Sequence, residues 1–157
     1  MVTSINKFQK VGEWLQGLME NLEDSDDNKV FKKVLLGFDN QQIHTYGGEA
    51  LGVVYVTGSN DYSETFGRHN RPRFIDTVCA FVIKDHTEAR YQKAIKIMDL
   101  LHNQFENNND WFEYIDSETG EKIIRATFVK DTAITLSPNG KKLDIIVVFT
   151  LKHHVYK

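Results

Sequence analysis

Two runs dense in β-branched and aromatic side chains, Ala50 to Thr57 and Arg73 to Ile83, stand on either side of a polar stretch from Gly58 to Pro72. Such density suits strands and not exposed loops. The second run becomes apolar at successive positions toward its end, through Val78, Cys79, Phe81, Val82 and Ile83. That is the pattern of a strand covered on both faces. The stretch between the runs holds Ser59, Asn60, Asp61, Ser63, Glu64, Arg68, His69, Asn70 and Arg71, with Tyr62 and Phe66 as its large apolar side chains. It reads as a long loop joining two central strands. It has little apolar surface of its own to offset the ~1–2 kcal/mol cost of fixing each backbone residue.

The flanking segments read as helices and further strands. Ile5, Phe8, Val11, Leu15, Leu18 and Leu22 recur at steps of three or four, one face of an α-helix that Ser4 can cap, with Trp14 and Met19 widening the stripe. Lys7, Lys10, Glu13 and Gln16 mix signs on the other face, which favours packing on a core over lying on a membrane. The acidic run Glu23 to Asn28 ends the helix, and a strand is expected near Lys33 to Phe38. After the central strands, Asp85 with Glu88 three residues on predicts a helix start. Tyr91, Ala94, Ile95, Met98, Leu101 and Phe105 are expected to form its buried face. Trp111 to Ile115 and Lys122 to Lys130 read as a hairpin around Asp116 to Glu121. Thr132 to Leu136, the turn Ser137-Pro138-Asn139-Gly140 and the strongly β-prone Leu143 to Leu151 follow. The order predicts an α+β fold: a mainly antiparallel sheet, two packed amphipathic helices and a long β-hairpin loop, as one domain over residues 1–157.

Composition narrows the classes of function. A net charge of −3 and pI near 6.1 supply no overall basic field for duplex nucleic acid. Cys79 cannot form an internal disulfide and lies in an apolar strand, where a thiol acts as a small hydrophobe. No apolar run reaches the ~18 residues that span a bilayer, and the start lacks the apolar core of a signal peptide, so synthesis in the cytoplasm is expected. No calcium loop is present at Glu23 to Asn28, because the required glycine and terminal glutamate are missing. His153 and His154 alternate across a strand, and His44, His69, His86 and His102 lack ligand spacing. Neither a phosphate loop nor a nucleophile elbow occurs. No cofactor, metal or catalytic set is expected. Arg68, Arg71 and Arg73 with Tyr62 and Phe66 suit either phosphates and stacked bases or a protein interface.

In element order and size the whole chain resembles the tail terminator proteins of long-tailed bacteriophages, a family of minor tail proteins. The resemblance rests on the opening helix, the strand Leu51 to Thr57, the polar excursion Gly58 to Pro72, the strand ending Cys79-Ala80-Phe81-Val82-Ile83, the helix through Ile97-Met98 and the terminal strand Asp144 to Leu151. The hairpin-rich region from Trp111 to Leu136 departs from a minimal terminator. The resemblance implies a non-enzymatic subunit of the virion tail, made in the host bacterial cytoplasm. It implies a ring homo-oligomer, typically a hexamer, that caps the tail tube, ends its polymerisation and joins the head. The partners implied are other copies of the chain, the tail tube protein, a head–tail connector protein and genomic DNA passing transiently through the ring lumen. Tyr62, Phe66, Arg68, Arg71 and Arg73 are the residues expected at the subunit or tail-tube interface. The alternatives are a related tail tube or head–tail completion protein, or a small ligand-binding or enzymatic α+β domain.

Overall fold

The structure is a computed structural model describing residues 7–37, 43, 50–61, 73–107 and 113–156. It has an α+β fold with elements in the order α1 (Lys7–Glu20), β1 (Lys33–Leu36), β2 (Leu51–Asp61), β3 (Arg73–Ile83), α2 (Glu88–Asn107), β4 (Tyr114–Ile115), β5 (Lys122–Asn139) and β6 (Lys142–Val155). The strands form one six-stranded sheet in the order β1-β2-β3-β6-β5-β4. All pairs are antiparallel except β1 with β2. Parallel neighbours need a crossover between them, which here falls between β1 and β2. Ile43 from that crossover packs on the far face of the sheet against Leu35, Leu51, Val53, Val78 and Ala80. This second apolar layer is why β3 carries apolar residues at consecutive positions.

Both helices lie on the opposite face. Cys79, Phe81 and Ile83 of β3 pair with Phe149, Val147 and Ile145 of β6. Together with Val54 of β2 they meet Leu15 and Met19 of α1 and Ala94, Ile97, Leu101 and Phe105 of α2 in the main core. Gly52 lets this layer close: a Cβ there would come within 3.0 Å of the Val34 side chain and 3.2 Å of the Met19 methyl. Burial pushes the Cys79 thiol well above its ordinary pKa, in keeping with a packed hydrophobe. A smaller cluster, Val11, Ile75, Ile123, Ile124 and Val155, seats the first half of α1 over the other end of the sheet.

Between these clusters β3, β6 and β5 are joined through side chains. His153 is fully buried, with Thr77 Oγ1 at 2.6 Å from Nε2 and Thr127 Oγ1 at 2.8 Å from Nδ1. A neutral ring satisfies both, donating from one nitrogen and accepting a hydroxyl proton at the other. Trp14 of α1 meets this ring edge-on at 6.0 Å.

Several expectations require correction. On α2 the buried residues are Ala94, Ile97, Leu101 and Phe105; Ile95 is 37% exposed and Met98 only half-buried. The helix has rotated its stripe toward Ile97 because the sheet beneath offers Phe149, Ile145 and Val147 along that line. The cap is Thr87, whose Oγ1 accepts from Arg90 N–H at 3.2 Å, and not Asp85. Asp85 instead takes a left-handed turn with φ 60°, and its carbonyl accepts from the Arg90 guanidinium at 2.9 Å. Phe8 is 48% exposed, outside the core its spacing suggested. Gly58 to Asp61 are strand, paired with Asp76 to Arg73 beyond a bulge near Val56, since backbone pairing at a sheet end needs no apolar side chains. Lys122 to Asn139 is one strand and not two, its halves joined through an irregularity between Val129 and Asp131. The acidic run folds on itself: Asp24 Oδ1 accepts from the backbone N–H of Asp26 and Asn28 at 2.9 and 3.0 Å. Ser4, Trp111 and most of the Asp39 to Glu49 connection lie outside the described residues.

Leu101→Ala should cost ~2–5 kcal/mol in chemical denaturation. Ile95→Ala, on the exposed side, should cost under about 1 kcal/mol, and equal losses at the two sites would contradict this rotation. A second expectation concerns acid. Burial lowers the His153 pKa from 6.5 to about 3, so below about pH 6.5 the unfolded chain binds a proton that the folded chain refuses. Stability from this residue is therefore complete above that pH and falls by about 1.4 kcal/mol per pH unit as the pH drops toward 3. His153 ring resonances should show no titration between pH 7 and 4.5, and the slope of stability against pH should diminish in His153→Gln.

Candidate interaction surface

The expected site residues leave the fold at one place. β2 ends at Asp61 and β3 begins at Arg73, and these two residues are paired in register. The segment carrying Tyr62, Phe66, Arg68 and Arg71 therefore departs from and returns to adjacent strands. Those four residues lie outside the described set, and of Arg73 the backbone pairing to Asp61 and Val155 is described.

The sheet end at Asp61 and Arg73 has chemistry that sequence reading missed. On the far face Phe74 stacks on His154, its cross-strand partner, with ring centroids 5.0 Å apart and planes 24° from parallel. Lys152 Nζ sits 4.7 Å from the centroid of the same phenyl ring. On the neighbouring strand the Arg125 guanidinium lies 4.7 Å from the centroid of Tyr156, and Lys122 Nζ lies 5.9 Å from it. Each cation–π contact of this kind contributes ~0.5–1 kcal/mol at an exposed site, so their main effect is to hold long cationic side chains in fixed directions. Burial, and then the Arg125 charge, lower the pKa of His154, so it remains neutral near pH 7. The sequence signal was the alternation of Lys152, His154 and Tyr156 in the last strand and its exit, legible only once the register placed Phe74 and Arg125 beside them.

Two contacts brace this end on the helix face. Lys7 Nζ donates to the Tyr156 carbonyl at 2.6 Å. Lys10 pairs with Asp116 in the turn between β4 and β5. Asp116 is also the acceptor that shapes that turn, taking the Glu118 N–H at 3.1 Å and the Thr119 hydroxyl at 3.0 Å. The hydrogen bond from Lys10, then that from Glu118, hold its carboxyl below the ordinary range. Trp14 closes the assembly against Tyr114, with centroids 5.1 Å apart. The arrangement is a braced platform of aromatic and cationic side chains, suited to recognising a partner surface.

Elsewhere, an open hollow of about 750 Å³ lies between the acidic turn and α2, lined by Lys29, Lys32, Lys93 and Lys96 together with Asp24 and Asp26. Among the described residues no group of three or more His, Cys, Asp or Glu is placed to hold a metal ion. No helix among them is long and apolar enough to cross a membrane.

No family model matches the chain, and no curated protein matches it. Among solved structures it is similar to the sheath/tube terminator of PVC, an extracellular contractile injection system, in its extended state. The TM-score is 0.35 and the identity 11%; the likeness covers 100% of this chain, which spans 58% of that one. Likeness at this level fixes neither family nor function.

Asp116→Asn should lower the thermal midpoint and weaken the loss of stability in acid. The carboxylate contributes above its unfolded pKa, and that contribution fades as the pH falls through its lowered folded value. Arg125→Ala, by contrast, should change stability by less than about 1 kcal/mol. An unchanged midpoint in Asp116→Asn would remove the ion pair from the forces that seat α1.

Proposed function

We propose that this protein is a structural, non-enzymatic tail terminator subunit. Its copies form a ring, of six by the family resemblance, at the end of a phage-type tail tube. The ring stops tube polymerisation and presents the surface that joins the head. Supporting this reading are the resemblance in element order and size and the α+β fold that the chain adopts.

The observation that carries it is the presentation of the segment between β2 and β3. A stretch holding Tyr62, Phe66, Arg68 and Arg71 joins two paired strands of one sheet at Asp61 and Arg73, and the same sheet end carries Phe74, His154, Lys152 and Arg125. Arg and aromatic residues dominate binding energy at protein interfaces, and a fixed base spares part of the ordering cost of docking. In this reading Tyr62 and Phe66 anchor on a neighbouring subunit or the tube, and Arg68, Arg71 and Arg73 pair with acidic groups there. The tail tube protein and a head–tail connector are the outside partners, genomic DNA passes through the lumen, and the working site is the virion tail after synthesis in the bacterial cytoplasm.

Replacing Tyr62 to Asn70, beyond the paired strand, by a short Gly-Ser linker tests it. The variant should unfold at the temperature of the parent, lose the ring seen by negative-stain microscopy, and fail to limit the length of tubes grown from the tail tube protein. A shortened variant that still assembles would show that this segment does not build the ring, and a parent that forms no ring would overturn the reading.

A further inference from the structure

We infer that the outer edge of β5 is a docking edge for a second copy of this chain, which pairs antiparallel with it through the same strand across a two-fold axis. The inference goes beyond the terminator reading and does not rest on it.

Among the described residues, β4 covers β5 only at Lys122 and Ile124, so from Arg125 to Asn139 the strand pairs with β6 alone. The direction of its free groups follows from the hairpin. Gly140 has φ 65° and Lys141 has no positive φ, which gives the two-residue turn the type II′ form. Such a turn is closed by a pair exchanging both hydrogen bonds, here Asn139 with Lys142, and the antiparallel ladder then alternates. Ser137, Thr135 and Ala133 bond inward to β6, while Pro138, Leu136, Ile134 and Thr132 turn their backbone groups outward. Pro138 confirms the phase, since a residue without an N–H is accommodated where that position points away from the ladder.

The opposite edge of the sheet is already closed. Gly37 N–H donates to the Val54 carbonyl, so alternate residues of β1 bond to β2, and the outward carbonyl of Val34 accepts from Gln16 Nε2 of α1 at 2.9 Å. A side chain of α1 thus takes an outward acceptor of the β1 edge. The β5 edge lacks the usual protections: from Thr132 to Ser137 it carries no charge and no proline, and Leu136 is 44% exposed. The irregularity between Val129 and Asp131 bounds this stretch at one end and Pro138 bounds it at the other.

The stretch is self-complementary, and this identifies the occupant. Its outward residues Thr132, Ile134 and Leu136 are uncharged, so a copy can be paired about Ile134. Antiparallel pairing there sets Ile134 against its own copy and Thr132 against Leu136 of the second copy, giving about six backbone hydrogen bonds. Asp131 meets the uncharged Ser137, so no like charges are opposed. An isologous contact of this kind closes on itself and doubles the assembly.

The test compares masses by light scattering for the parent, Leu136→Pro and the double variant Ala133→Lys/Thr135→Lys. Leu136→Pro removes an outward donor and leaves the inward bonds to β6. The double variant places lysines directly opposite one another across the axis, on side chains exposed in the single subunit. Both should retain the parent's circular dichroism and have half its mass, dimer to monomer or, where six copies form a ring, twelve copies to six. A parent that is monomeric at high micromolar concentration would overturn the inference, as would folded double-variant protein of unchanged mass. A fall from a hexameric ring directly to monomers would also overturn it, because it would mark the edge as a head-to-tail seam.

Discussion

The antiparallel pairing of β3 with β6 is the contact on which everything else is hung. Its eleven residue pairs, from Arg73 with Val155 to Ile83 with Ile145, put these two strands at the centre of the sheet. One face of the pair supplies Cys79, Phe81, Val147 and Phe149 to both helices, while Val78 and Ala80 of the other face pack with Ile43. A slip of one residue would exchange those faces, so the register is fixed by apolar burial on both sides. The Thr77, His153 and Thr127 contacts add a polar pin that only one register satisfies.

From that centre the two sides of the sheet differ in kind. Toward β1 the sheet ends under α1, with a side-chain amide on an outward carbonyl. Toward β5 it continues as a long hairpin that passes beyond its neighbours. The sheet end that releases the Tyr62 to Pro72 stretch is braced by Lys7, Lys10 and Asp116 and faced with aromatic–cation pairs.

Much of this was legible in the residues. The two central strands, the hairpin after α2 and the terminal strand are dense in β-branched side chains, and their α+β arrangement followed from element order. The buried face of α2 was misread because Ile95 and Ile97 both fit a helical stripe; the sheet, which the sequence does not display, selects Ile97. The cap was misread because Asp85 and Thr87 are both good cap residues, and the turn geometry at Asp85 decides between them. Gly58 to Asp61 looked like loop because composition records side chains, whereas strand pairing there is a backbone matter. The Phe74 and His154 stack was invisible because its members lie far apart in the chain and meet only through register.

Residue-resolved amide exchange, followed at rising protein concentration, tests the account most directly. Cys79, Phe81, Val147 and Phe149 should exchange only through global unfolding at every concentration. Ala133 and Thr135 should be protected throughout, whereas Thr132, Ile134 and Leu136 should exchange rapidly in dilute protein and become protected as copies pair. Slow exchange at the outward amides in dilute monomer, or rapid exchange at the β3 and β6 amides, would contradict it.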